Sequence, residues 1–212
     1  MSERSGIFNL LQRPWVYALW QWLTGAPAAH RRLVRELDLQ PGDSILDIGS
    51  GDSALLDYLP DFVCYQGIEP NPSYVEKARS RARKQDLIWQ AKIDAELGLV
   101  LPDGIAPYNI VLALRLFHHL DDHEAMVLWK TLHDLLVRVD QANYARCVVN
   151  DNCLADGYPL AAWVIRHDRG AHPRPYSWYE ISAKQYFGRV ECTFGSLKFP
   201  IPATGVQIVC CL

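Results

Sequence analysis

Four residues in this chain have types and spacing that could hold a nucleotide-like ligand: Asp47, Gly49, Gly51 and Glu69. Ser44 to Ile48 is a short apolar run bounded by Pro41-Gly42 and Gly49, too short for a helix, and so reads as a buried strand. Glycines 49 and 51 follow, where the lack of a Cβ permits a tight turn and lets backbone approach a ligand. About twenty residues on, a second apolar run, Val63 to Ile68, ends in Glu69. An acid at the end of the second strand is placed to grip a ribose diol. Taken in order, a strand, a glycine turn, a helix from Asp52 to Leu59 and an acid closing the next strand point to nucleotide chemistry.

Three further side chains could act on a bound substrate. Arg115 and His118 follow an apolar run, Asn109 to Leu114, and Asp151 follows another, Ala145 to Asn150. A neutral His at a strand end could accept the proton of an attacking hydroxyl or amine, or it could bond to backbone and order its loop. Asp151 at a strand end faces the ligand crevice, or serves as a cap or turn residue. His118, His119 and His123 invite a metal reading, but no cysteine or convincing carboxylate completes a zinc set, so no metal is assigned.

The spacing separates two nucleotide-binding patterns. A dehydrogenase fingerprint needs a third glycine, and Ala54 stands there. The acid-x-Gly-x-Gly of Asp47, Gly49 and Gly51, with Ser53 as a further small residue, instead resembles the first motif of class I S-adenosylmethionine (SAM) dependent methyltransferases. The run Phe117-His-His-Leu-Asp-Asp122 resembles the fourth-motif region of the small-molecule members of that family.

That resemblance implies an α/β fold: a Rossmann-like, seven-stranded, mostly parallel sheet with an antiparallel last strand, helices on both faces and an N-terminal helical cap. It implies SAM as cofactor, with S-adenosylhomocysteine (SAH) as product. By it, Asp47, Gly49 and Gly51 hold the methionine end and Glu69 the ribose, with Pro70 and Leu114 alongside. Tyr17 and Arg32 would lie near the SAM carboxylate. An acid usually meets the adenine after the third strand, Leu87 to Ala91. Lys92 stands at that place here, and Asp94 is the first acid beyond it.

Two elements must then flank the strand-turn core. Pro14 to Leu23 is apolar nearly all round if helical, and Ala28 to Leu39 reads as a helix with a basic face. Together they make residues 1–40 a cap over the site, with 41–212 as the cofactor-binding unit of a one-domain chain. Helices are expected over 74–84, 123–137, 159–165 and 176–187, and closing strands over 189–197 and 205–212. Arg166-His-Asp-Arg-Gly170 reads as a structural ion-pair knot or as an anion site.

Composition excludes some classes. The chain has 212 residues, half of them hydrophobic, and a formal charge of −3, which argues against nucleic-acid binding through phosphate neutralisation. No apolar run reaches membrane-spanning length, no secretory signal opens the sequence, and the six cysteines form no C-x-x-C pair. Free thiols in a reducing, cytoplasmic setting are the expectation.

The expected activity is methyl transfer from SAM to oxygen or nitrogen of a small-molecule acceptor, with His118 or Asp151 as base and Arg115 at the reaction centre. The absence of an Asn/Asp-Pro-Pro-Tyr/Phe signature at Ala113 to Leu116 favours a small acceptor. Two rivals remain: a SAM-binding protein that transfers no methyl group, and a nicotinamide-dependent oxidoreductase. Oligomeric state is not legible.

Overall fold

The computed structural model describes residues 26–90, 108–139, 145–167, 170–197 and 202–212. Tyr17, the helix expected over 14–23, Lys92, Asp94, and Asp168 with Arg169 of the expected knot lie outside them.

Apolar runs buried on both sides form the central strands, as expected for a parallel sheet. These are β1 (Ser44–Ile48), β2 (Cys64–Glu69), β4 (Ile110–Leu114) and β5 (Arg146–Leu154), while β3 (Leu87–Gln90) is a half-exposed strand at the sheet edge. Two residues, Arg174–Pro175, form β6, and β7 (Arg189–Leu197) and β8 (Ala203–Cys211) close the chain. The strand order is β3-β2-β1-β4-β5-β8-β7, with β6 pairing off this path to β5. β1 pairs in parallel with both β2 and β4, while β8 runs antiparallel to β5 and β7. β1 is therefore the point where the strand order reverses, and the crevice at its carboxyl end is where open α/β sheets bind ligands.

Alternation along each strand builds a core on either face. Leu46, Val111, Ala113, Cys147 and Val149 face α3 (Asp122–Val137) and α5 (Tyr176–Ala183) in one cluster. Ile45, Ile110, Leu112 and Val148 join Leu33 and Leu37 of α1 (Ala26–Leu37) and Val75 and Ala78 of α2 (Pro72–Arg81) in the other. The fold is thus the Rossmann-like α/β sheet with helices on both faces and an antiparallel last strand.

Several local expectations need correction. The segment after the glycine turn is a 3-10 turn, Ala54–Tyr58, rather than a helix over 52–59. Ser53 enters it in the left-handed region at φ 52°, and Leu59, held extended before Pro60, ends it. α2 stops at Arg81, because Arg83 turns inward: its guanidinium meets the buried Asp86 at 2.9 Å and the carbonyls of Pro60 and Val63. α5 ends at Ala183, four residues early. β5 runs to Leu154, four residues past its expected end, because its second half pairs with β8 and β6. Asp151 and Cys153 are therefore inside the strand. All six cysteines are free, and no helix of the described residues is long and apolar enough to cross a membrane.

Candidate functional site

The glycine turn is held by the strand beside it. The N–H groups of Gly49 and Ser50 both donate to the carbonyl of Ile68, at 2.8 and 3.0 Å. Gly49 and Gly51 have φ of 75° and 57°, conformations that cost a residue with a Cβ. Gly49 also has a packing reason, since a Cβ there would meet Leu116 Cδ1 at 3.0 Å, whereas one on Gly51 would meet nothing within 4 Å. The turn is thus closed towards β4 and open at Gly51.

Glu69 spans this turn and the next. Its Oε2 accepts from Gly51 N–H at 3.0 Å, and its Oε1 accepts from Asn71 N–H at 2.8 Å. Each carboxylate oxygen takes a second donor, so the capacity to accept from a diol remains. Pro70 is exposed beside it, and Asn71 caps α2 by accepting from Ser73 N–H at 2.9 Å.

Asp47 is almost fully buried, and its pKa is pushed up from 3.8 to about 7, chiefly by loss of water around the carboxylate. The Tyr65 hydroxyl donates to its Oδ2 at 2.8 Å and lies 3.3 Å from Ser53 Oγ. Among the described residues, Asp47 Oδ1 and Ser50 Oγ are buried without a hydrogen-bond partner. Orphaned polar atoms are costly unless something satisfies them. Two such atoms, an open Gly51 cradle and a strand-end acid suit the amino-acid and ribose parts of SAM.

At the end of β4 the chain makes a second, different corner. Leu114 is half-buried and packs against the core on the α1 face. Arg115 follows at φ 56°, its N–H donating to Asn150 O and its Nη1 to Asn152 Oδ1, both at 2.6 Å. His30 of α1 feels the charges of Asp52, Arg115 and Asp57 from nearby, and burial lowers its pKa.

His118 turns towards the other face. Asp151 Oδ2 accepts from His118 N–H at 3.0 Å. Its Oδ1 lies 2.5 Å from His118 Nδ1 and accepts from Asn152 N–H at 2.7 Å. Asp151 is 1% exposed and His118 5%, and a Cβ on Gly170 would come within 2.0 Å of His118 Cδ2. Asp151 is therefore a buried side chain of β5 whose two oxygens meet His118 and Asn152. It binds the loop after β4 through the His118 N–H and holds the imidazole at Nδ1. Arg115 and His118 are thus separated, the first tied to Asn152 and the second to Asp151. Among the described residues no group of three His, Cys, Asp or Glu side chains is placed to hold a metal.

The buried arginine that organises this region was not legible in the sequence. Arg174 donates to the carbonyls of Phe117, Leu120 and His172, pairs with Asp122 at 2.9 Å and stacks 4.3 Å over the Trp178 ring. Arg166, one member of the expected knot, lies exposed, whereas Arg174 is buried. Its only local signal was an arginine between two prolines. Arg32, expected near the cofactor carboxylate, instead pairs with Glu36 along α1 at 2.6 Å.

Residues 46–133 match the family model described as "Methyltransferase domain". The chain is 33% identical over 93 residues to the 27-O-demethylrifamycin SV methyltransferase of Amycolatopsis mediterranei, covering 43% of this chain and 34% of that one. It thus spans about a third of this curated relative's length. Its fold is shared with the putative methyltransferase solved with the Trm112 activator of Haloferax volcanii, with a TM-score of 0.69, 14% identity and 99% of each chain covered. It is shared too with human N-acetylserotonin methyltransferase in complex with SAM, with a TM-score of 0.58, 16% identity, and 86% of this chain and 51% of that one covered.

Proposed function

We propose, from a chain that carries a class I SAM-dependent methyltransferase domain, that it transfers the methyl group of SAM to an oxygen or nitrogen of a small-molecule acceptor. The observation that carries this reading is the Glu69 carboxylate, which accepts from Gly51 N–H and Asn71 N–H at the strand-order reversal. It braces the open glycine turn while keeping lone pairs for ribose hydroxyls. Asp47, buried with one unpartnered oxygen, is the acceptor for the cationic amino group. SAM supplies a methyl carbon already activated by its sulfonium, so the chain's main task is alignment and exclusion of water.

His118 Nε2 takes the acceptor's proton, its tautomer set by Asp151 at Nδ1. The family names of the A. mediterranei and human relatives support a small organic acceptor. A second reading, SAM binding without transfer, draws on the burial of His118 under Gly170. Incubation with methyl-labelled SAM and a panel of phenols, carboxylates and amines separates the two. Label in an acceptor supports transfer, and SAM binding with label never leaving it supports the second reading.

A further inference from the structure

Arg115 stands apart from the other arginines around this crevice. Arg81 pairs with Asp52 and Asp57, and Arg174 with Asp122. Arg115 is exposed, and among the described residues its side chain bonds to the neutral Asn152 and pairs with no acid. It is also held in place twice over, through its backbone N–H on Asn150 and its guanidinium on Asn152. Its φ of 56° is one that glycine would adopt without strain, so the position keeps a long cationic side chain against a conformational preference. Next to it, Leu116 packs on Gly49, so the 114–116 corner lies directly against the glycine turn. His30, which feels the charge of Arg115, has its pKa lowered chiefly by burial.

We propose that Arg115, with one Nη committed to Asn152, presents the rest of its planar fork to a carboxylate bound in the crevice between β1 and β4. A guanidinium matches a carboxylate in two parallel hydrogen bonds, which an ammonium cannot do. The carboxylate belongs to the acceptor or to the methionine end of SAM. The inference rests on the methyltransferase reading for what fills the crevice, and the test keeps the two apart.

Calorimetric titration of the full chain with SAH, with 5′-methylthioadenosine (the same nucleoside thioether without the amino-acid end that carries the carboxylate), and with benzoate with and without SAH gives three readouts. The variants are Arg115→Gly, which relieves the backbone as it removes the guanidinium, and Arg115→Lys, which keeps charge without the fork. Arg115→Gly is expected to unfold within a few degrees of wild type, so lost binding is not lost folding. If SAH binding falls at least tenfold in Arg115→Gly while 5′-methylthioadenosine is unchanged, the carboxylate is the cofactor's. If SAH binding holds but benzoate binding is lost, it is the acceptor's. Arg115→Lys should fall between in either case. Wild-type binding of all three probes by Arg115→Gly overturns the proposal. Failure of wild type to bind either adenosyl ligand would sink the methyltransferase reading, and benzoate alone would then decide the role of Arg115.

Discussion

Gly51 and Glu69 are eighteen residues apart in sequence, and the backbone N–H of the first donates to the carboxylate of the second at 3.0 Å. The same carboxylate accepts from Asn71 N–H at 2.8 Å. One side chain thus fixes the turn after β1 and the turn after β2, and presents its charge between them.

Glu69→Ala should therefore weaken SAH binding by about 10–100-fold, the worth of a hydrogen bond to a charged group. The two freed N–H groups should also lower stability by about 1–3 kcal/mol. Titration calorimetry and urea unfolding read the two losses separately. Unchanged SAH affinity would remove Glu69 from the cofactor site.

Asp47 gives a pH signature. Its carboxyl is raised in the fold to about 7 from 3.8, so the native state holds the proton more tightly than the unfolded chain. Below about pH 4 both states are protonated and there is no penalty. As pH rises from about 4 to about 7, stability falls, and above about 7 the loss levels off, at about 4 kcal/mol for a shift of this size. Asp47→Asn should abolish that component. The difference in unfolding free energy between variant and wild type, measured from pH 4 to pH 8, should tilt in favour of the variant as pH rises. A flat difference would contradict it.

His118→Ala should reduce kcat by about 10²–10⁴-fold if its Nε2 takes the proton, with SAH affinity unchanged. Asp151→Asn should follow it, because Asp151 sets the tautomer and anchors the loop. Equal losses of turnover and affinity would assign the pair to loop order alone.

Gly170→Ala places a methyl group where His118 Cδ2 already sits. The ring must move, which should cost about 1–3 kcal/mol and lower turnover in step with His118→Ala. A fully active, fully stable Gly170→Ala would show that the two segments are not in fixed contact.

Arg174→Met should destabilise by about 3 kcal/mol, since the carbonyls of Phe117, Leu120 and His172 lose a buried donor. Asp122 is largely exposed and should add little. Thermal unfolding checks the size of the effect.

The strands of the core were legible because parallel strands are buried on both faces and read as continuous apolar runs. The runs around Ile45–Ile48 and Ile110–Leu114 needed no partner to be recognised. The acid ending β2 was legible from its place after an apolar run. The 3-10 turn after Gly51 was not, because the left-handed backbone of Ser53 is a tertiary outcome that leaves no mark on residue type. Nor was the His118–Asp151 pair, which depends on β4 and β5 being neighbours with Leu114 beside Asn150. Arg174 was missed for the same reason: the carbonyls of Phe117 and Leu120 that it holds are more than fifty residues away.

Titration of the purified chain with SAH, SAM and NAD in turn is the measurement that bears most directly on the cofactor. Micromolar binding of the two adenosyl-sulfur ligands, weakened by Glu69→Ala and with no response to NAD, is the predicted result. Binding of NAD alone, or adenosyl binding indifferent to Glu69, would contradict the methyltransferase site built here on Asp47, Gly51 and Glu69.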